Sequence, residues 1–468
     1  MGVLITPWVH GTVPLHSVAL GLALRQRGHD VSFIVCPHPQ AREFDREHEL
    51  RESAILRRLV PDLASCAGCV DVIPARRSSG PIPPELDLIA QAQLIWDSRA
   101  RDLPRRASSE VSVRARALLP LYEALRGHLA RLGVSALYMP GGFWGASGPA
   151  LAAAESLGVR VATLDFGPAS ILFSGTGIAA QHADVAVAMA QLERADPAEL
   201  ARTVAWGRAE MQRRTQGSDD FQPVPTNTPL EASSHQNTTK QVLIPLNIEW
   251  DAAALRTHTL YDCATDWLAD TVRFILTETD ARVIVRQHPH ERLEEFSSPL
   301  DWAGALAPWL ANPRLEFIRA EQKVNSYDLV RSTSLVLPKV STFGIECAAL
   351  GIPVIVEARS YYAGLPFVQR AGSREEYHQL IREALMSRGG RLSESQRESA
   401  WRCFYLTQAC GFIKTQFNPL QEFFTSWVHQ DPNAVFSLPE VDDMCRSVAS
   451  GEPYHWLVHR RRVASGET

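Results

Sequence analysis

The chain of 468 residues lacks the features that would assign it to a membrane or disulfide-rich class. It has no apolar run of membrane-spanning length, and its first residues, Met1–Trp8, lack the basic and apolar segments of a signal peptide. Its 8 cysteines are spread along a chain that is long enough to fold without disulfides. We therefore expect a cytoplasmic protein with free thiols.

An excess of positive charge is also missing. Lys and Arg number 47 against 52 Asp and Glu, which gives a formal net charge of -5. Because a surface that tracks phosphates usually shows a basic excess, nucleic acid is not expected as a partner. The local clusters Arg105-Arg106 and Arg460-Arg461-Arg462 are either solvated faces or a peripheral membrane contact.

Two ligand-binding motifs are absent from the sequence. Without a D-x-D pair, a metal-chelated diphosphate is not expected, and His288-x-His290 alone is a weak metal signal. Without G-x-G-x-x-G, a dinucleotide fingerprint is unsupported. We therefore predict no metal site and no cofactor.

The most informative segment that is present runs from Leu335 to Val356. It reads as a strand, a polar turn, a small-residue helix and a second buried strand. Ser341 and Thr342 lie where the helix begins, and hydroxyls and free N–H groups at such a place suit an anion. Glu346 lies one turn further on and could accept hydrogen bonds from sugar hydroxyls. An ordinary crossover unit with a Ser/Thr N-cap would show the same pattern.

A second strand, Arg282–Gln287, leads directly into His288. In an open parallel sheet, ligands bind beyond the carboxyl ends of the strands, so His288 and the Ser341-Thr342 turn are expected on one edge. Such a histidine can donate a hydrogen bond to a leaving phosphate, and Arg286 can offset its charge. A solvated turn histidine is the alternative interpretation of His288.

Several motifs between Val242 and Pro419 occur together in a fixed order. The segment resembles the bacterial capsule polysaccharide biosynthesis family of GT-B glycosyltransferases, which includes Kdo transferases that use a CMP-activated sugar. The matching residues are Leu243–Asn247, Asp251, Val285–Glu291, Ser326–Val330, Ser341–Glu346 with Gly351–Pro353, Tyr361–Gly364 and Trp401–Tyr405. The resemblance implies that His288 and the turn with Ser341, Thr342 and Gly344 bind the nucleotide phosphate. Departures at Asn247, Arg286-Gln287 and His290 leave the donor open, as CMP-linked or UDP-linked.

The N-terminal residues supply a candidate catalytic base. Val3–Pro7 predicts a strand, a Gly/Pro turn follows, Leu15–Arg27 has helical periodicity, and Val31–Val35 predicts a second strand. His10 lies in the turn of this βαβ unit and is a candidate base for an inverting reaction; a satisfied loop histidine fits equally. For a retaining reaction, the carboxylates of Glu249 and Asp251 are the candidates.

The predicted architecture is an α/β, GT-B fold in which two Rossmann-like domains face an interdomain cleft. We assign residues 1–214 to an acceptor domain, 215–240 to a Ser/Thr/Asn/Gln-rich linker and 241–422 to a nucleotide-sugar donor domain. Residues 423–468 are expected to form a helix and tail that cross back to the first domain.

Three functions compete on the sequence. The leading one is a metal-independent glycosyltransferase that moves a sugar from a nucleotide donor to a glycan or small-molecule hydroxyl acceptor. The second is a nucleotide-sugar 2-epimerase of the same fold, although Glu357–Tyr361 departs from the Arg-Pro-Glu continuation of that group. The third is a non-catalytic glycan-binding protein.

Overall fold

A computed structural model describes most of the chain. The described residues are 1–7, 13–36, 69–71, 78–99, 107–167, 170–218, 240–257, 259–387, 390–418 and 436–468. The predicted base His10, residues 219–239 of the predicted linker and the predicted helix around Phe423 lie outside them.

The strands of the described residues form two sheets. In chain order they are β1 Gly2–Ile5, β2 Ser32–Val35, β3 Cys69–Asp71, β4 Ala136–Pro140, β5 Arg160–Gly167, β6 Ser170–Ser174, β7 Gln241–Pro245, β8 Arg282–Arg286, β9 Leu315–Ile318, β10 Leu335–Val336, β11 Val354–Val356 and β12 Val368–Arg370.

Helices connect these strands. In chain order they are α1 Val13–Gln26, α2 Pro84–Ser98, α3 Ala107–Leu132, α4 Ser147–Ser156, α5 Val185–Leu192, α6 Pro197–Arg213, α7 Ala264–Glu278, α8 Trp302–Leu306, α9 Ser326–Arg331, α10 Phe343–Ala349, α11 Arg374–Met386, α12 Glu394–Tyr405, α13 Pro439–Ser450 and α14 Tyr454–Ser465.

The first unit contains a six-stranded sheet in the order β3-β2-β1-β4-β5-β6. Its strands pair in parallel except for β6, which is antiparallel to β5. The predicted N-terminal βαβ unit is confirmed, because α1 connects β1 to its parallel neighbour β2. The strands read as apolar runs because both faces of a parallel sheet are covered by helices.

The second unit repeats this strand order with a fully parallel sheet, β12-β11-β10-β7-β8-β9. Both sheets therefore have the order 3-2-1-4-5-6 of a doubly wound Rossmann fold, and the predicted pair of Rossmann-like units is confirmed. The core of the second unit lies between its sheet and α7, where Trp267 is fully buried among strand residues such as Val242 and Val283.

The units divide the chain differently from the predicted domains. The first comprises residues 1–98, 105–188 and 407–467, and the second comprises residues 99–104, 189–406 and 468. Helix α6, which we expected in the N-terminal domain, belongs to the second unit because it packs on α12. Gly207 of α6 lies so close to Trp401 of α12 that a Cβ there would be 3.0 Å from the indole ring.

Among the described residues, no helix has both the length and the apolar character needed to cross a bilayer.

Candidate functional site

The loops of interest lie at the carboxyl edge of the second sheet. The chain leaves β7 toward β8 on one side, whereas β10, the other neighbour of β7, continues to β11 in the opposite direction. This reversal makes a crevice between the loops after β7 and β10, which is where ligands bind in open α/β sheets. The loop after β8 borders it, one strand away. The sequence prediction that His288 and Ser341 emerge on the same edge is confirmed.

His288 follows β8 and is held in one orientation. It precedes a 3₁₀ turn, Pro289–Arg292, and its Nδ1 accepts a hydrogen bond from the backbone N–H of His290 at 3.2 Å. Removal of water from the ring, followed by the charges of His290 and Arg286, lowers the pKa of His288 to about 3. The imidazole is therefore neutral at pH 7, with its proton on Nε2, where it can serve as a hydrogen-bond donor.

The turn after β10 is shaped by Tyr362. The Tyr362 hydroxyl donates to the carbonyl oxygen of Ser341 at 2.7 Å, and burial raises the pKa of Tyr362, which keeps this hydroxyl protonated. Gly344 makes room for it, because a Cβ at that position would lie 2.7 Å from the Tyr362 hydroxyl oxygen. The role of Gly344 that the structure shows is therefore this close approach.

The predicted helix after the turn is confirmed, but its capping differs from the ordinary Ser/Thr N-cap of the alternative interpretation. Thr342 is the N-cap residue, has helical backbone angles and makes no side-chain cap bond. Instead, Ser341 Oγ accepts from the N–H of Phe343 at 3.3 Å. Both Ser341 and Thr342 are half-buried.

Glu346 points into the protein. The residue is 6% exposed, its carboxylate accepts a hydrogen bond from the Tyr327 hydroxyl at 2.7 Å, and Arg214 lies 3.6 Å away. In this arrangement, Glu346 links the end of α6 to α9 and α10. Its predicted contact with sugar hydroxyls would require one of these partners to move.

Arg286 is bonded to the loop that follows β9. Its guanidinium donates to the carbonyl oxygens of Arg319 at 2.6 Å and Gln322 at 3.4 Å, and the residue is 4% exposed. Burial lowers the pKa of Arg286. The structure therefore gives Arg286 a role in ordering that loop, and its charge also acts on His288. Its role at the donor stays a prediction.

A buried ion pair joins the two loops that form the crevice. Lys339 Nζ of the loop after β10 donates to Glu249 Oε2 of the loop after β7 at 2.9 Å, and the two side chains are 3% and 1% exposed. Beside them, Asn247 Oδ1 accepts from the N–H of Val340 at 3.4 Å. Glu249, a predicted catalytic carboxylate, is therefore enclosed and paired.

Asp251 differs from Glu249 although it lies only two positions further along the chain. It is solvent-exposed, at the start of a turn, and its carboxylate accepts hydrogen bonds from the N–H groups of Ala252 and Ala253. These bonds lower the pKa of Asp251, but the desolvating effect of the surrounding protein is larger and raises it. Of the two predicted carboxylates, Asp251 is the one that belongs to a solvent-exposed residue.

The corresponding edge of the first unit has a different character. The loop after β4 contains Phe143 and Trp144, which are 5% and 6% exposed, so these aromatics belong to the core. In α1 of the same unit, the buried His16 Nε2 lies 3.2 Å from the carbonyl oxygen of Phe417. The candidate base His10 is outside the described residues, and its role stays a prediction.

Sequence reasoning missed Lys339 and the function of Tyr362. A signal for Lys339 was present, because a charged residue in the otherwise apolar run Leu335–Val340 must be paired if that run is buried. Tyr362 was part of a matching motif, but nothing local indicates its contact with Ser341. In the part of the chain that the structure describes, no cluster of three or more His, Cys, Asp or Glu residues could hold a metal ion.

Comparisons with known proteins give structural matches only. No family model and no curated protein matches the chain. The chain is similar to the β-Kdo 2,7 transferase KpsC of Thermosulfurimonas dismutans, with 18% identity and a TM-score of 0.36 over 60% of this chain and 80% of that one. It is also similar to the UDP-GlcNAc 2-epimerase of Neisseria meningitidis bound to UDP-GlcNAc, with 10% identity and a TM-score of 0.25 over 86% and 94% of the two chains. MurG of Acinetobacter baumannii matches with 13% identity and a TM-score of 0.26 over 86% and 94%. Since these TM-scores are below 0.5, the fold assignment rests on the two sheets described above.

Proposed function

We propose that this protein is a GT-B glycosyltransferase that moves a sugar from a nucleotide-activated donor to a hydroxyl acceptor. One observation carries the proposal. The residues that resemble the capsule polysaccharide family follow β10, β7 and β8, three strands that are hydrogen-bonded side by side. Asp251, His288 and the Ser341-Thr342 turn thus share one sheet edge, at the position where α/β sheets bind ligands.

In the proposed reaction, the donor phosphate is bound beside His288 and the Ser341-Thr342 turn. The neutral His288 ring offers Nε2–H as a donor, which can stabilise the negative charge that develops as the nucleotide leaves. The expected donor is CMP-linked or UDP-linked, and no metal is required for this step.

Asp251 is the proposed general base. It accepts the proton of the acceptor hydroxyl while that oxygen forms a bond to the anomeric carbon of the sugar. The bond between this carbon and the donor phosphate oxygen breaks, and its electron pair leaves with the nucleotide. The solvent exposure of the Asp251 residue supports this role over Glu249, which is enclosed with Lys339. His10 stays a second candidate base.

A donor screen tests the proposal. The protein is incubated with CMP-linked, UDP-linked, GDP-linked, dTDP-linked and ADP-linked sugars in excess EDTA, and released nucleotide and sugar products are quantified. Nucleotide release with transfer of the sugar to a glycan, a small-molecule hydroxyl or water is expected for at least one donor, and it should persist without metal. Epimerised sugar still attached to its nucleotide would identify an epimerase instead, and binding without turnover would indicate a glycan-binding protein. Activity that is lost in EDTA and restored by magnesium would contradict the metal-independent mechanism.

A further inference from the structure

The Glu249–Lys339 ion pair lies where the two loops of the crevice separate. Its carboxylate follows β7, its ammonium group follows β10, and the distance between them is 2.9 Å. The side chains are almost completely shielded from water. Because desolvation offsets the attraction between buried charges, such a pair gives little net stability compared with apolar side chains. Stability of the fold alone therefore does not account for it.

The pair is also too enclosed to contact a substrate. Lys339 Nζ, besides its bond to Glu249, lies 5.4 Å from the ring centroid of Trp267, a fully buried residue of the core. Neither charge is directed to a surface where a ligand could reach it.

What the pair does fix is the loop that carries Asp251. Three side chains of this loop are bonded to other loops. Asn247 accepts from the N–H of Val340, Glu249 accepts from Lys339, and Trp250 Nε1 donates to the carbonyl oxygen of Ser297 at 3.2 Å. Asp251 follows immediately, and its own N–H donates to the carbonyl oxygen of Ile248 at 3.2 Å. Of these three anchors, only the one at Glu249 joins two full charges.

We propose that Glu249 and Lys339 are a positioning pair that sets the distance between Asp251 and the loop after β10. This inference rests on the proposed function, in which Asp251 is the base and the loop after β10 contacts the donor. A base acts efficiently only when it is held within hydrogen-bond reach of the proton that it removes. The buried pair supplies this restraint without contacting the substrate.

The test replaces both charges together. In the double variant Glu249→Met with Lys339→Met, apolar side chains of similar length fill the same space, and no lone charge is left buried. Thermal unfolding, the Kd for CMP and for UDP, and nucleotide release from the corresponding nucleotide sugars are measured for each protein. A matched control removes the Asp443–Arg461 pair of the first unit, where the distance is 2.7 Å, by Asp443→Asn with Arg461→Met.

We expect the double variant to retain its fold and to lose turnover by about tenfold or more, because the alignment of the base is affected. Nucleotide affinity should change much less, since the Ser341 turn keeps its hydrogen bond from Tyr362. The control should keep wild-type turnover. A folded double variant with wild-type turnover would overturn the inference while leaving the proposed function intact. Wild-type protein that releases no nucleotide from any donor would overturn the proposed function and the inference together.

If the double variant does not fold, the isosteric variant Glu249→Gln tests the inference instead. It retains an oxygen that can accept from Lys339, so a positioning role predicts a loss of turnover of only about 3–10-fold. A loss of about 10⁴-fold or more, without a change in nucleotide affinity, is what removal of a catalytic nucleophile would cause, and it would contradict the positioning role.

Discussion

The two units have the same strand order, but the loops at their topological switch points differ in charge. In the second unit, the loops after the first and fourth strands carry Glu249, Asp251 and Lys339. In the first unit, the described residues after the equivalent strands are Thr6-Pro7 and the uncharged stretch 141–146. The sheet topology brings loops together at an edge in both cases, but the chemistry depends on the loop residues.

The units also differ in their buried polar groups. The first encloses neutral imidazoles, since burial lowers the pKa of His16, His182 and His455 to about 3 in each case. The second encloses one such histidine, His288, together with a pair of full charges at Glu249 and Lys339. We therefore expect acid to affect the first unit more strongly, because more such histidines lie among its described residues, and loss of one charge partner to affect the second.

The largest expected effect is on catalysis by the second unit. Asp251→Asn should lower turnover by about 10²–10⁴-fold, because a general base is lost, with little change in nucleotide affinity. Asp196→Asn is the matched control, since Asp196 also accepts two backbone N–H bonds, from Ala198 and Glu199, in α6. Equal turnover in the two variants would remove Asp251 from the mechanism and leave His10 as the next candidate.

The next effect concerns stability of the second unit. Lys339→Met leaves the Glu249 carboxylate buried without its partner, which should lower the free energy of unfolding by about 3–5 kcal/mol. Arg208→Met, which removes an exposed pair with Glu394 at 3.4 Å, should cost about 0–1 kcal/mol. Urea denaturation followed by tryptophan fluorescence measures both. Similar denaturation midpoints for the two variants would show that loss of the buried partner costs no more stability than loss of the exposed one.

Acid should destabilise the first unit. Histidines with a folded pKa near 3 stay neutral in the native state, whereas in the unfolded chain they bind protons below about pH 6.5. The unfolded state then binds more protons, so stability falls as the pH decreases from 6.5 toward 3. Each buried histidine should cost about 2 kcal/mol at pH 5 relative to pH 7. His182→Gln should reduce the pH dependence of the urea midpoint. If the midpoint changes with pH as in the wild-type protein, His182 is not a source of the acid sensitivity.

The smallest expected effect comes from Tyr362. Tyr362→Phe removes the hydrogen bond to the Ser341 carbonyl and should cost about 0.5–1.5 kcal/mol of stability. It should also weaken nucleotide binding, because the turn after β10 loses a restraint. Tyr377→Phe removes a comparable buried contact, with Trp267 at 3.2 Å, in the core behind the sheet. Calorimetric titration should detect weaker nucleotide binding in Tyr362→Phe alone.

Much of the second unit could be predicted because its signals are local. The apolar runs at β10 and β11, the left-handed Gly351 with φ of +88° and the following Pro353 predict a strand, a helix end and a second strand from neighbouring residues alone. The shared edge of His288 and Ser341 follows from a general rule about parallel sheets.

The remaining features depend on contacts between distant residues. Glu249 and Lys339 are 90 positions apart and meet only because β10 pairs with β7, which no local pattern shows. Arg286 occurs directly before the loop of His288, yet its guanidinium donates to the carbonyl oxygen of Arg319 in the loop after the neighbouring strand β9. The difference between the predicted domain of α6 and its observed unit has the same cause, since its partner Trp401 is nearly 200 residues away.

Calorimetric titration with CMP, UDP, GDP, dTDP and ADP tests most directly whether the second unit binds a nucleotide at this edge. At least one nucleotide is expected to bind to the wild-type protein. His288→Ala, and Ser341→Ala with Thr342→Ala, should each weaken its binding by about 1–3 kcal/mol without unfolding the protein. His378→Ala, a histidine paired with Asp270 on the helical layer, should bind normally. Absence of binding for all five nucleotides, or wild-type affinity in both site variants, would show that this edge of the second sheet is not a nucleotide site.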